Sequence, residues 1–279
     1  MCSIESKCSP KYLALSRVNI LGIGVHAINM AEARESIEQA IAENRKGYVC
    51  VTSVHGVIEA QENANLRWVH NHSFLTLPDG RPLVWVGRLQ GARAIEQVGG
   101  PEMMLELCHL SCEKGYTHFF YGGAPGVADE LKQKLTQRYP GLKVIGTYSP
   151  PFRPLRADEE MEVCRLFSRL KPDITWVGLS TPKQEMFMAD YLDRFDTTIM
   201  IGVGAAFDMH SGRIKDAPRF MKCSGTAWVF RLIQDPKRLW RRYVKIIPRF
   251  IWEILLQFSG IKEHSLPGTS GALSNERQK

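Results

Sequence analysis

The chain has 279 residues, 44% apolar content and a formal net charge of +7, enough to bury a full core as one large domain or as one domain with an appendage. Between Ala227 and Lys262 eight basic residues face two acidic ones, a balance of +6, so the remainder is close to neutral and a uniformly basic nucleic-acid binder is excluded. Seven scattered cysteines form no spaced framework and, being odd in number, cannot all pair internally; with no apolar signal-peptide region in MCSIESKCSPKYLALSR, a reducing cytosol is expected.

In chain order, residues 1–16 read as an N-terminal extension and Arg17–Val25 as a strand. Asn29, with Glu32 three residues on, caps a helix that ends near Gly47. Tyr48–Ser53 is strand-like, Val57–Val69 helical, and Phe74–Leu77 a short strand that stops at Pro78-Asp79-Gly80. Pro101 opens a helix that Gly115 closes, and Thr117–Tyr121 is a strand ending at Gly122-Gly123. Pro125 starts the next helix, Leu142–Thr147 is a strand and Asp158–Leu170 is helical. Two β-branched runs follow, DITWVG from Asp173 and TIMIGVG to Gly204, separated by a helix at Gln184–Arg194. Strands alternating with helices of this length predict an α/β fold: a mostly parallel, Rossmann-like sheet flanked by helices, over residues 17–224. Residues 225–262 are expected to form a basic, amphipathic helical appendage that associates with membranes. Residues 263–279 are expected to be a disordered tail.

In such a sheet ligands bind outside the carboxyl ends of the strands. That rule brings Asp79, Gln184 and Asp208 to one rim. LPDG is first a β-turn signal on steric grounds, yet it also puts a carboxylate at a strand end. The Gly122-Gly123 loop, between a strand and a helix start, lets backbone N–H groups approach a phosphate; it is no Walker A loop, because no Gly-Lys-Ser/Thr follows. Gly22-Ile23-Gly24 and Gly202-Val203-Gly204 both lack the third glycine of the dinucleotide fingerprint. The chain contains no Asp-x-Asp, a common way to hold a nucleotide diphosphate through a divalent metal. A departing diphosphate would then be met by N–H groups, arginine or lysine.

On a helical projection, Arg241, Arg242, Lys245 and Arg249 share one side with Arg238, while Leu239, Tyr243, Ile246, Ile247, Phe250 and Ile254 lie opposite. Pro248 is expected to break or kink this helix. An ordinary surface helix packs such an apolar face on the core, whereas an interfacial helix lays it on an anionic leaflet. The aromatic bulk of Trp240, Trp252 and Phe258 favours the membrane, with Arg242, Lys245, Arg249, Trp240, Phe250 and Trp252 as the contact set. A transmembrane span is excluded by Arg249 and Glu253.

Taken in order, PDG at 78–80, Gly-Gly-x-Pro-Gly-Val at 122–127, GLSTPKQE at 178–185, GVGAAFD at 202–208, Ser211-Gly212, Ala217-Pro218 and TAWVFRL at 226–232 resemble the bacterial WecG/TagA/CpsF family of inverting glycosyltransferases. The resemblance runs from about residue 18 to residue 250. It implies a UDP-sugar donor, a polyprenyl-diphosphate-linked sugar acceptor at the cytoplasmic membrane face, and metal-independent transfer in surface-polysaccharide synthesis, with no cofactor. The implied location is peripheral, on the inner face of the bacterial cytoplasmic membrane, with an anionic membrane surface as partner and self-association in solution. By the same resemblance Asp79 is the general base, and Thr52, Ser53, Gly122, Gly123, Gln184, Gly204 and Asp208 form the donor site. Arg231, Arg238 and Arg241 correspond to functional arginines that close over the site and neutralise the departing diphosphate; their spacing by seven and then three puts them along one helical side. Ser53 stands where the family has asparagine, Gln97 where many members have arginine, and Asp216 where a basic residue is common.

Two other functions fit the same sheet. A nicotinamide-dependent oxidoreductase needs a complete glycine fingerprint with an acidic residue about twenty positions on, and neither is present. A non-catalytic, membrane-docked nucleotide-sugar-binding protein is separated from the enzyme by whether Asp79 carries turnover.

Overall fold

The computed structural model describes residues 15–266, apart from the side chains of Arg219 and Arg238. Nearly all of the expected N-terminal extension and most of the expected tail lie outside the described residues.

Six strands pair in parallel throughout, in the order β4-β3-β8-β7-β5-β6. They are β3 (Gly47–Thr52), β4 (Leu75–Pro78), β5 (Thr117–Gly122), β6 (Lys143–Tyr148), β7 (Ile174–Gly178) and β8 (Ile199–Gly202). The four inner strands are buried on both faces, which is why their sequences run as apolar stretches instead of alternating with polar residues. Successive side chains still feed opposite layers. Val49, Val51, Phe120, Trp176 and Ile201 join a cluster with α1 (Met30–Ala42), α5 (Gly100–Lys114) and α6 (Val127–Arg138). Tyr48, Cys50, Phe119, Tyr121, Val177 and Met200 join the other, with α3 (Ala64–His72), α7 (Ala157–Leu170) and α8 (Lys183–Tyr191).

The alternation and the parallel sheet agree with the sequence expectation, and the Asn29–Glu32 capping box opens α1 as expected. Three elements before α5 differ. Arg17–Val25 is a hairpin, not one strand: β1 (Arg17–Ile20) turns at Leu21-Gly22 into antiparallel β2 (Ile23–His26). Both turn residues have positive φ, 53° and 80°, the geometry that matches the twist of a two-residue hairpin. The helix expected at Val57–Val69 is two, α2 (Val54–Glu62) and α3, because Asn63 is extended and its side chain accepts from the Leu66 amide, starting a new helix. An unexpected helix, α4 (Arg81–Leu89), follows Gly80 directly, with Pro82 in its first turn.

Beyond the β4 edge lies a third apolar cluster, shared by the hairpin, α2, α4 and the C-terminal helix α12 (Pro236–Phe258). Short helices α9 (Ala206–His210), α10 (Arg219–Cys223) and α11 (Ala227–Gln234) lead to it. Contrary to expectation, α12 runs unbroken through Pro248 for 23 residues, about 35 Å. The amide that proline lacks would have served the carbonyl of Val244, which lies on the exposed face (65%), where solvent can meet that carbonyl. Leu239, Ile246, Phe250 and Ile254 are buried. Phe250, expected at the membrane, is 6% exposed and packs in the third cluster because its helical face is the one turned to α2. Among the described residues, no helix is long and apolar enough to cross a membrane.

Candidate active site

The carboxyl ends of β3, β4, β7 and β8 open onto a cleft of about 710 Å³, roofed by α4, α11 and α12. Such a volume suits a ligand larger than a monosaccharide. Asp79 stands at its edge, held by its backbone. Its amide donates to the Thr52 carbonyl at 2.8 Å, and the preceding Pro78 carbonyl accepts from Val98 N–H at 2.9 Å. Gly80 then adopts φ 112°, a conformation that glycine tolerates and other residues resist, and turns the chain into α4. Pro-Asp-Gly is therefore both things at once, a turn and a presented carboxylate.

Burial lifts the Asp79 carboxyl to about 6, with neighbouring Glu102 pushing the same way. Arg231 and Lys222 oppose the rise electrostatically, and a hydrogen bond from Gln97 opposes it further. Gln97 thus touches the carboxylate itself. An arginine at that position would hold the acid lower. Lys222 is ion-paired to Glu102 at 2.6 Å and to Asp216, so Asp216 helps to anchor the cation beside the site.

The N-terminus of α5 also faces the cleft through Gly100 and Pro101. A 15-residue helix aims partial positive charge and free N–H groups there. A Cβ on Gly100 would come within 3.2–3.3 Å of Val203, which keeps this turn tight against the end of β8.

Of the expected donor residues, Ser53, Gln184 and Gly204 line the cleft, together with Arg231 and Arg242. Gln184 is 3% exposed, and its Nε2 donates to Glu185 Oε1 at 3.1 Å. Thr52, Gly122, Gly123 and Asp208 do not line it. Thr52 is turned inward, its hydroxyl 3.0 Å from His70 Nδ1. A Cβ on Gly122 would stand 2.6–2.8 Å from the backbone of Gly178, and the Gly123 amide donates to the Gly178 carbonyl at 3.0 Å. These glycines serve the close approach of two strand ends. The Asp208 carbonyl accepts from Arg213 and Ile214 N–H at 2.9 and 3.0 Å, closing the loop after α9.

The three arginines do not share one helical side. Arg231 is on α11 and Arg238 and Arg241 are on α12, with Asp235 in a non-helical conformation between them. The Arg238 side chain lies outside the described residues. Arg241 faces a second pocket of about 420 Å³ between α2 and α12, which Arg242 joins to the cleft. Of the expected membrane set, Arg249 pairs with Glu62 and Lys245 comes within 3.9 Å of it, so part of the basic stripe is spent on α2. Trp240 and Trp252 remain 49% and 62% exposed.

Sequence reasoning missed Trp85 and Leu89 of α4, and Trp228, Ile251 and Leu255, all of which give the cleft mouth an apolar rim. The one available signal was the apolar run after Gly80, masked by its length. Lys222 carried no motif of its own. Among the described residues no group of three or more His, Cys, Asp or Glu side chains is placed to hold a metal ion.

Residues 18–263 match the glycosyl transferase WecG/TagA/CpsF family. An N-acetylglucosaminyldiphosphoundecaprenol N-acetyl-beta-D-mannosaminyltransferase of Bacillus spizizenii is 30% identical over 220 residues, covering 78% of this chain and 83% of that protein. One of the same name from Bacillus subtilis is 32% identical over 187 residues, covering 67% and 70%.

Proposed function

The chain belongs to the glycosyl transferase WecG/TagA/CpsF family, and from that premise we propose that it moves a sugar from a UDP-sugar to a polyprenyl-diphosphate-linked sugar at the inner face of the cytoplasmic membrane. The single observation that supports this most is the Asp79 carboxyl, raised to about 6 and lining a cleft that Lys222, Arg231 and Arg242 also line. A group with that pKa is largely ionised at neutral pH yet basic enough to accept a proton.

In the reaction Asp79 takes the proton of the acceptor hydroxyl as that oxygen attacks the anomeric carbon. The bond from that carbon to the diphosphate oxygen breaks, its electron pair leaves with UDP, and attack opposite the leaving group inverts the centre. Arg231, Lys222 and the N–H groups at the start of α5 meet the charge that develops on UDP. No metal is required, because those groups supply the countercharge.

The lipid-linked acceptor sits at the mouth of the cleft, on the apolar rim of Trp85, Leu89, Ile251 and Leu255, while exposed Trp240 and Trp252 of α12 engage the membrane and the protein stays peripheral. The two Bacillus relatives give the first pair to try, N-acetylmannosaminyl transfer onto N-acetylglucosaminyl-diphosphoundecaprenol. The test uses UDP-N-acetylmannosamine, other UDP-sugars and a short-chain polyprenyl-diphosphate N-acetylglucosamine in detergent, with and without EDTA. A lipid-linked disaccharide, formed equally with EDTA, is expected. Absence of product from every UDP-sugar, or a strict need for a divalent ion, contradicts the proposal.

A further inference from the structure

The first turn of α8 carries two adjacent polar side chains almost sealed from solvent, Gln184 at 3% and Glu185 at 0% exposure. Glu185 Oε1 accepts two hydrogen bonds, from Thr181 Oγ1 at 2.8 Å and from Gln184 Nε2 at 3.1 Å. Among the described residues Gln184 Oε1 has no partner. It is aimed at the cleft: Gln184 lines that cleft, and its Oε1 is 3.4 Å from where a Cβ on Gly204, another lining residue, would stand.

A primary amide is a donor on one side and an acceptor on the other. Glu185 Oε1 already receives the Thr181 hydroxyl, and as an oxygen of the ionised carboxylate it can only accept. The Gln184 NH2 must therefore point to Glu185. Turning the amide over would set oxygen against oxygen in a buried site and forfeit a hydrogen bond. What Gln184 offers the cleft is a carbonyl oxygen.

Phosphate oxygens at neutral pH are acceptors and gain nothing from a carbonyl. Resting on the UDP-sugar reading above, we propose that Glu185 is a positioning residue that fixes the Gln184 amide with its carbonyl towards the cleft, so that Gln184 holds a hydrogen-bond-donating group of the nucleotide sugar and not its diphosphate. That group is a hydroxyl or acetamido N–H of the sugar, a ribose hydroxyl or the uracil N3–H. Glu185 does not line the cleft and touches no substrate; it acts through its neighbour.

The test is Glu185→Gln, which keeps the volume but lets residue 185 pair with either side of the Gln184 amide. Binding of UDP-N-acetylmannosamine, UDP and inorganic diphosphate is measured by calorimetry on the full chain, with a melting curve to verify folding. We expect UDP-N-acetylmannosamine to bind at least about twofold more weakly, since an amide free to take either orientation offers its carbonyl to the cleft about half the time, with diphosphate unchanged. UDP unchanged assigns the contact to the sugar, and UDP weakened in parallel assigns it to the nucleoside. In a Gln184→Ala background Glu185→Gln should add no further loss, whereas independent structural effects would multiply. Undiminished UDP-sugar binding by a folded Glu185→Gln, a loss that includes diphosphate, or full additivity overturns the inference alone. A wild-type protein that binds neither UDP nor any UDP-sugar overturns the donor reading and this inference with it.

Discussion

Replacing Asp79 with asparagine should make the protein more stable at neutral pH. The carboxyl stands at about 6 in the folded chain against an ordinary 3.8, so ionising it costs more folded than unfolded. At about 1.36 kcal/mol per pH unit, the full difference is about 3 kcal/mol; Asp79 is only partly buried at the edge of an open cleft, and solvent reduces this to about 1–2 kcal/mol. The sign follows from proton counts. Below pH 4 both states hold the proton and there is no penalty. Between pH 4 and 6 the unfolded chain releases its proton first, so stability falls as pH rises, and above 6 the penalty is complete. Asparagine keeps the shape and carries no charge at any pH. Thermal melts of the two proteins from pH 4 to pH 8 should therefore coincide at the acid end. By pH 8 the variant should melt about 2–8 °C higher. A variant that is less stable at pH 8, or offset by the same amount at every pH, would refute the claim that burial holds this carboxyl high.

Gln97→Arg places a cation where a neutral amide now donates to Asp79; it should lower the carboxyl and move the acid limb of the kcat/KM profile below pH 6 by at least half a pH unit, as read by a pH–rate series. Phe250→Ala should cost about 3–5 kcal/mol in urea unfolding, because that ring is core, whereas Trp252→Ala should leave stability within about 0.5 kcal/mol and weaken binding to anionic vesicles. Gly122→Ala should destabilise by more than about 2 kcal/mol, since the new Cβ would sit on the Gly178 backbone. Its folded fraction should bind UDP as the wild type does; a selective loss of UDP affinity would instead make that loop a phosphate cradle.

The parallel sheet was legible because a strand buried on both faces has to be apolar at every position, and Val49–Val51, Phe119–Tyr121 and Ile199–Ile201 show it without ambiguity. Caps were legible where one side chain does the work, as at Asn29. The hairpin was not, because Leu21 is an apolar residue in a left-handed turn that its side chain does nothing to advertise. The unbroken α12 was hidden for the opposite reason: proline disfavours a helix locally, and packing of Ile246, Phe250 and Ile254 overrides it. At the site, Asp79, Gln184 and Gly204 converge as strand ends dictate. The Gly122-Gly123 pair does not, since a close backbone approach and a phosphate loop both select glycine and the sequence does not separate them. The Gln97 contact with Asp79 and the support that Glu185 gives Gln184 are made across the fold or within one turn, and no periodicity encodes them.

The proposed reaction turns on a carboxylate that accepts a proton while a sugar is transferred. Its most direct test is the rate of transfer to a polyprenyl-diphosphate-linked N-acetylglucosamine by wild type and Asp79→Asn, with UDP affinity measured on the same preparations. A fall of about a hundredfold or more in kcat, with UDP affinity within about threefold of wild type, is the predicted result. Turnover that survives the substitution would contradict it.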